Sequence, residues 1–238
     1  MNELVSVIMP VYNHAKMLRR SLDSLRRQTY SPIEIIIVND GSTDNFKDVI
    51  DSILQDKKFG ACNIFVVEQE NKGAPAARNR GYAFSKGEYV IFFDADTIAD
   101  KDLIKKMKLA LDKNPAVSYV YSGFKYGWKI MKPMIFDAAK LKSNNYIDVT
   151  ALIRRNDFPG FDETINRFQD WDMWLTMLEK NKTGLCLPEL LYKKIVAGRS
   201  GISRWMPKFA FRLRWKSKEV LRFEESRSVV RKKHGLEP

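Results

Sequence analysis

Four apolar runs, each followed by a segment of helical periodicity, fill residues 4–114. "LVSVIMPV" (4–11), "IEIIIVND" (33–40), "NIFVVEQ" (63–69) and "EYVIFFDAD" (88–96) read as strands. Their apolarity is nearly continuous, which is the mark of parallel strands covered on both faces. Between them, "AKMLRRSLDSLRRQT" places Leu18, Leu22 and Leu25 on one side, and "NFKDVIDSILQ" does the same with Phe46, Val49, Ile50 and Ile53. "GAPAARNRGYAFS" (73–85) starts a helix with Pro75 near its first turn, and "KDLIKKMKLALDKN" forms another. The alternation predicts an α/β fold: a Rossmann-like, mostly parallel central sheet with helices on both faces. After residue 115 the pattern loosens. "VSYVYSGFKY" reads as a strand and 127–147 as irregular. "DWDMWLTMLEKN" (170–181) reads as a helix with Trp171, Trp174, Leu175 and Leu178 on its apolar face.

Ligands on such sheets bind outside the carboxyl ends of the strands. Four segments leave those ends: Pro10–Asn13, Asn39–Asp44, the stretch around Asn71–Arg80, and Asp94–Thr97. The first strand ends in "MPVYN", with neither the G-x-G-x-x-G of a dinucleotide site nor a G-x-x-x-x-G-K-[ST] loop. A divalent cation is another way to hold a diphosphate, and Mg²⁺ is usually held by one or two carboxylates plus the substrate phosphates. Asp94 and Asp96 at a strand exit suit that role, and both could point one way. Taken alone, the three-residue motif reads more readily as Asp96 or Asp100 capping the following helix.

Five segments, "SVIMPVYN", "IIIVNDGSTD", "NKGAPAARNRG", "YVIFFDADT" and "FDETINRFQDWDMWL", occur in an order and spacing that resemble family 2 glycosyltransferases of the GT-A fold, over residues 4–195. The resemblance implies an inverting, metal-dependent transfer of a sugar from a nucleotide-diphosphate sugar to an acceptor hydroxyl. It puts Pro10 and Tyr12 against the nucleotide base, with Asp40 accepting a hydrogen bond from it. Arg78 and Asn79 would lie near the donor. Asp94 and Asp96 would bind Mg²⁺ or Mn²⁺, with Asp96 the more direct metal ligand and Asp94 also contacting the nucleotide.

The family's general base is the Asp of a Glu-Asp pair; here the pair is Gln169-Asp170, which makes Asp170 the expected base. A first-turn position should favour its anion. Asp172 lies about 200° further round an ideal helix and is expected to be solvated or capping. The family's third Asp after the D-x-D is Thr97 here, and Arg199 stands in the late segment where some relatives carry a metal-binding histidine. The third metal ligand is therefore left open. Two other readings stand beside the transferase. A sugar nucleotidyltransferase would need a Gly-rich, Lys-containing loop that "PVYNHAK" lacks. A non-catalytic nucleotide-sugar scaffold sits badly with intact Asp40, Asp94, Asp96 and Asp170.

Charge divides the chain into an expected catalytic domain (1–198) and a basic amphipathic tail (199–238). The tail holds twelve Lys/Arg and four Glu, a net +8 of the chain's +12. Its basic residues are interleaved with Trp205, Met206, Phe209, Phe211, Leu213, Trp215, Val220, Leu221 and Phe223. Two readings stand side by side: a helix on an anionic membrane surface, or a helix packed on the catalytic domain. Nucleic acid is disfavoured as a partner, because no recognised binding motif accompanies the patch. No apolar run approaches the ~18 residues of a membrane span. "MNELVSVIMPVYN" has no basic n-region, which argues against a signal peptide. The expected location is cytoplasmic, peripheral on the inner face of the cell membrane if the tail binds lipid. The acceptor is then a glycan or lipid-linked precursor of surface polysaccharide. Cys62 and Cys186 are expected to be ordinary core thiols in a reducing compartment, and His14 and His234 surface side chains.

Overall fold

The computed structural model describes residues 3–195 and 217–236. Strands β1 (Val5–Val11), β2 (Ile33–Asp40), β3 (Asn63–Gln69) and β4 (Tyr89–Phe92) form the parallel sheet in the order β3-β2-β1-β4. Helices α1 (Ala15–Arg26), α2 (Phe46–Gln55) and α3 (Ala74–Phe84) make the crossovers, and α4 (Leu103–Lys113) follows. Alternation along each strand feeds two cores. In β1, Val5, Val7, Met9 and Val11 face a cluster completed by Leu18, Leu22 and Leu25 of α1, Ile50 and Ile53 of α2, and Leu103, Met107 and Leu111 of α4. Ile8 faces the other way, into a cluster with Val90 and Phe92. Gly81 of α3 lies so close to β1 that a Cβ there would come within 2.5 Å of Ile8. Only glycine lets this helix sit so near the sheet.

Beyond β4 the sheet becomes mixed. The run 88–96 splits: β4 ends at Phe92, Asp94–Asp96 form a turn, and β5 (Thr97–Ala99) starts a new direction. β6 (Tyr119–Tyr126), β8 (Leu152–Arg154) and β9 (Gly184–Lys194) extend the order to β4-β8-β6-β9-β5, with β6 and β9 parallel and the other pairings antiparallel. Residues 127–147 are not irregular throughout, as the sequence suggests. They contain β7 (Lys129–Met131), folded back on β6 through Gly127 at φ +57°, and α5 (Ala138–Ser143). The Asp137 carboxylate caps α5 by accepting from the Lys140 amide at 3.0 Å, and Leu141 is fully buried. Both elements are too short for periodicity to reveal.

Helix α6 (Gln169–Glu179) carries the second core. Trp171 and Trp174 are buried and donate their indole N–H groups to the carbonyls of Leu141 and Ile147, at 2.7 and 3.1 Å. Helix α7 (Lys218–Lys233) packs on this layer through Val230, and its Val220 is buried as well. The described part of the basic tail thus takes the packed arrangement. Trp205, Met206, Phe209, Phe211, Leu213, Trp215, Arg199 and the expected boundary at 198/199 lie outside the described residues. Cys62 and Cys186 are free and half-buried. No described helix is long and apolar enough to cross a membrane.

Candidate active site

The loops after β1 and β2 are tied to one another at the carboxyl edge of the sheet. Asn13, held at φ +54°, accepts through its side-chain oxygen from the amides of Thr43 (2.8 Å) and Asp44 (3.2 Å). Asp44 in turn accepts from the Ala15 amide at 3.0 Å, at the start of α1. Pro10 lies half-buried opposite Val38, and Tyr12, just past the strand, is exposed. Asp40 is buried at the end of β2. It accepts from the Gln69 side chain (2.7 Å) and from the amides of Lys72 (2.8 Å) and Gly73 (2.9 Å). These bonds fill three of its roughly four acceptor positions and fix the 69–73 loop against the end of β2.

Helix α3 begins at that loop and delivers Arg78 into the middle of the site. The buried guanidinium donates to Asp94 through Nη2 and to Gln169 through Nη1, both at 2.9 Å. The other Asp94 oxygen accepts from Lys194 at 3.0 Å, and Lys194 also donates to Asp148 at 2.7 Å. Asp148 is steadied through its second oxygen by the Tyr192 hydroxyl (3.0 Å) and the Thr150 amide (3.1 Å). Asp94 is therefore not a bare carboxylate awaiting a cation, because Arg78 and Lys194 take both of its oxygens.

Asn79 faces elsewhere. Its amide bonds the backbone N–H and carbonyl of Phe161 (2.8 and 2.9 Å) and the Glu163 carboxylate (2.9 Å), so it holds the 161–163 segment ahead of α6.

Charge is unevenly settled across this cluster. Burial alone would raise the Asp94 carboxyl, but the charges of Lys194 and Arg78 outweigh it and hold Asp94 well below the usual range. Lys194 is kept firmly protonated: burial works against its charge, and Asp148, Asp94 and Asp96 overcome that. Asp96 is half-buried, forms no ion pair among the described residues, and is pushed up to about 6 by burial and by Asp94's charge. Asp170 is also raised, first by burial and then by Asp148's charge. The expectation that its place in the first turn of α6 would favour the anion is overturned, because desolvation outweighs the helix end.

Asp172 departs from expectation too. It is buried, with 2% of its surface exposed, and is bonded to Lys233 (2.8 Å) and to His234 Nε2 (2.9 Å). His234 is equally buried rather than a surface side chain, and its Nδ1 contacts Glu179 at 2.6 Å. Helical rotation does aim Asp172 away from Asp170, but toward α7 and not toward water.

Asp148 and Lys194 were not picked out by sequence. Each is one residue brought in from a distant strand or loop. The available clue was a lysine at the end of the run "LLYKK", where a strand edge meets the site.

A divalent cation fits part of this arrangement. Among the described residues no three His, Cys, Asp or Glu side chains are grouped to hold a metal. Asp96, however, is an under-compensated carboxylate, and Mg²⁺ or Mn²⁺ needs only one or two carboxylates when phosphates supply the rest. Asp94 could join only by sharing oxygens already held by Arg78 and Lys194.

The sequence profile of Glycosyl transferase family 2 matches residues 6–167. The chain belongs to this family. It is 37% identical over 128 residues to the glycosyltransferase GlyG of Streptococcus pneumoniae, covering 53% of the chain and 41% of that protein. It is 30% identical over 210 residues to an uncharacterized glycosyltransferase of Rickettsia felis, covering 82% of the chain and 33% of that protein. The chain thus spans well under half of either of these relatives. Among solved structures, S. aureus TarS 1–349 in complex with UDP superposes with a TM-score of 0.67 at 21% identity, covering 81% of the chain and 60% of TarS 1–349. The mannosyltransferase PcManGT from Pyrobaculum calidifontis, in complex with GDP-Man and Mn²⁺, gives 0.67 at 19% identity, covering 89% of the chain and 61% of PcManGT. At these identities the superpositions establish the GT-A fold.

Proposed function

We propose that the chain is the donor-binding and catalytic part of an inverting, metal-dependent glycosyltransferase that uses a nucleotide-diphosphate sugar. The observation that carries this reading is the contact chain Gln169–Arg78–Asp94–Lys194–Asp148. It joins the helix bearing a proton-hungry carboxylate to a cationic pair at the mouth of β4. Two of the similar structures hold a uridine and a guanosine nucleotide, the latter with Mn²⁺, which favours this donor chemistry here.

In this reading Tyr12 and Pro10 flank the base and Asp40 offers its remaining acceptor position. Arg78 and Lys194 set a positive field beside the diphosphate, while Asn79 keeps the 161–163 segment in place. Asp96, with Asp94, would hold Mg²⁺ or Mn²⁺, which when bound offsets charge on the leaving diphosphate. The acceptor hydroxyl oxygen attacks the anomeric carbon from the face opposite the diphosphate, so configuration inverts. Its proton passes to an Asp170 carboxylate oxygen. The bonding pair of the anomeric C–O bond leaves with the nucleoside diphosphate. A raised Asp170 is well matched to this task, since a base works best when its pKa approaches the operating pH. The acceptor is a glycan or lipid-linked saccharide at an anionic membrane surface, in surface polysaccharide synthesis.

The test is a panel of nucleotide-diphosphate sugars with Mn²⁺, following nucleoside diphosphate release and the anomeric configuration of the product by NMR. Inverted product with one donor supports the reading. Retention of configuration, or no release with any donor and acceptor, overturns it.

A further inference from the structure

The β6–β7 hairpin and the segment leaving it carry the most exposed large apolar side chains of the described fold. Trp128 is 88% exposed, Ile135 84% and Ile130 57%, with Met131 and Met134 beside them. Clusters of this kind mark interaction surfaces rather than idle exterior. The root of the hairpin is firmly built. Phe124 stacks on Tyr192 at 4.9 Å, the Gly127 amide donates to the Lys194 carbonyl at 3.2 Å, and the Tyr121 hydroxyl donates to the Met134 carbonyl at 2.7 Å. Pro133 is pressed against Gly123 so closely that a Cβ there would come within 2.6 Å of it. A fixed base therefore presents an apolar tip. Because Tyr126 pairs with Lys194, that tip stands at the rim of the candidate site.

Its charge selects the occupant. From 125 to 136 the chain reads KYGWKIMKPMIF, with three lysines and no acid. A tryptophan at the tip, aliphatic neighbours and a lysine collar match the boundary of a bilayer, where indole rings settle at headgroup level and lysines meet anionic lipid.

We propose that this hairpin inserts into an anionic lipid surface and turns the sugar-transfer site toward it. The proposal rests on the reading above that the acceptor is membrane-borne. It differs in placing the contact on residues 125–135 and not on the basic tail.

The full-length chain is floated with phosphatidylglycerol–phosphatidylcholine vesicles and with phosphatidylcholine vesicles at low salt, beside the double variant Trp128→Ser/Ile130→Ser. The expected result is binding to anionic vesicles that the double variant weakens at least ten-fold, with unchanged affinity for a nucleoside diphosphate. Changing Lys129 and Lys132 to Gln should weaken binding about five-fold per lysine. Brominated lipid should quench tryptophan emission of the parent and spare Trp128→Phe, an outcome that does not depend on how the double variant folds. Undiminished binding by the double variant overturns the hairpin assignment while leaving the membrane reading standing on the tail. Failure of the parent to bind anionic vesicles overturns both. Concentration-dependent dimerisation lost in Trp128→Ser, without lipid binding, would assign the surface to a second copy instead.

Discussion

Asp170 and Asp172 are two residues apart on one helix and sit in opposite surroundings. On Asp170's side, Asp94, Asp96, Asp148 and Asp170 surround two cations among the described residues, Arg78 and Lys194. On Asp172's side, Lys233 and His234 meet Asp172, with Asp162 and Glu179 completing the set from the more exposed edge. The first cluster leaves Asp96 and Asp170 without an ion pair among the described residues, and both are raised, first by burial and then by a neighbouring carboxylate's charge. The second pairs each of its carboxylates with a cationic or histidine partner and fastens α7 to α6. The two clusters teach that paired carboxylates alone do not indicate chemistry. The indication lies in charge left unsettled, because an unsettled carboxylate will take a proton or a cation.

The sharpest way to break the comparison is to remove each carboxylate's charge. Asp170→Asn keeps the shape but cannot take a proton, so turnover should fall roughly 10²–10⁴-fold, with donor affinity nearly unchanged. Asp172→Ala should instead unfold more easily, by about 3 kcal/mol, because it strips the buried partner from His234 and Lys233. Thermal melting and steady-state kinetics on both variants decide it. A dead but stable Asp172→Ala beside a near-normal Asp170→Asn would reverse the two roles.

Cation binding should separate the clusters next. A nucleoside diphosphate is expected to bind more tightly with Mg²⁺ or Mn²⁺ than with EDTA, and Asp96→Ala should abolish the difference. Calorimetry reads it directly. Equal affinity with and without metal in the parent would mean that the chain's own cations supply the positive charge the diphosphate meets.

What sequence revealed follows the same division. The parallel half was legible because its strands are continuous and its helices amphipathic, so Leu18, Leu22 and Leu25 fall where expected. The motif residues at the strand ends were legible by resemblance, and Asp40, Arg78, Asp94 and Asp96 do converge on one edge. Lys194 and Asp148 were not, since each enters from more than 45 positions away from Asp94 and carries no local pattern. His234 looked like a stray surface histidine because its partners Asp172 and Glu179 lie on another helix. The shift of Asp170 was misjudged because a helix end is visible in sequence and desolvation is not.

The fully paired cluster also predicts a pH effect. His234 is raised above its ordinary value: burial opposes the charged ring, and the bonds to Asp172 and Glu179 overcome that. A raised pKa means the folded state holds the proton more tightly. Its stabilising contribution is complete below the unfolded value near 6.5 and is lost as pH rises through the higher folded value. Denaturant unfolding across pH 6 to 9 should show this decline, and His234→Gln should flatten it. A parent curve with no slope above 6.5 would mean that the ring is held neutral.

The smallest effect concerns Gln169, where the resemblance leads one to expect Glu. Gln169 accepts from Arg78 at 2.9 Å and donates to the Asn166 carbonyl at 3.0 Å. Gln169→Glu would strengthen the first contact by adding charge and lose the second, setting an oxygen against a carbonyl. Each change is worth about 1 kcal/mol, so stability should move little. The added negative charge would, however, sit beside Asp170 and raise its proton affinity further. The acid limb of the pH–rate profile should therefore move to higher pH, while activity on the plateau holds. An unmoved limb would show that Asp170 does not feel its neighbour's charge, and that the unsettled side of α6 is tuned by burial alone.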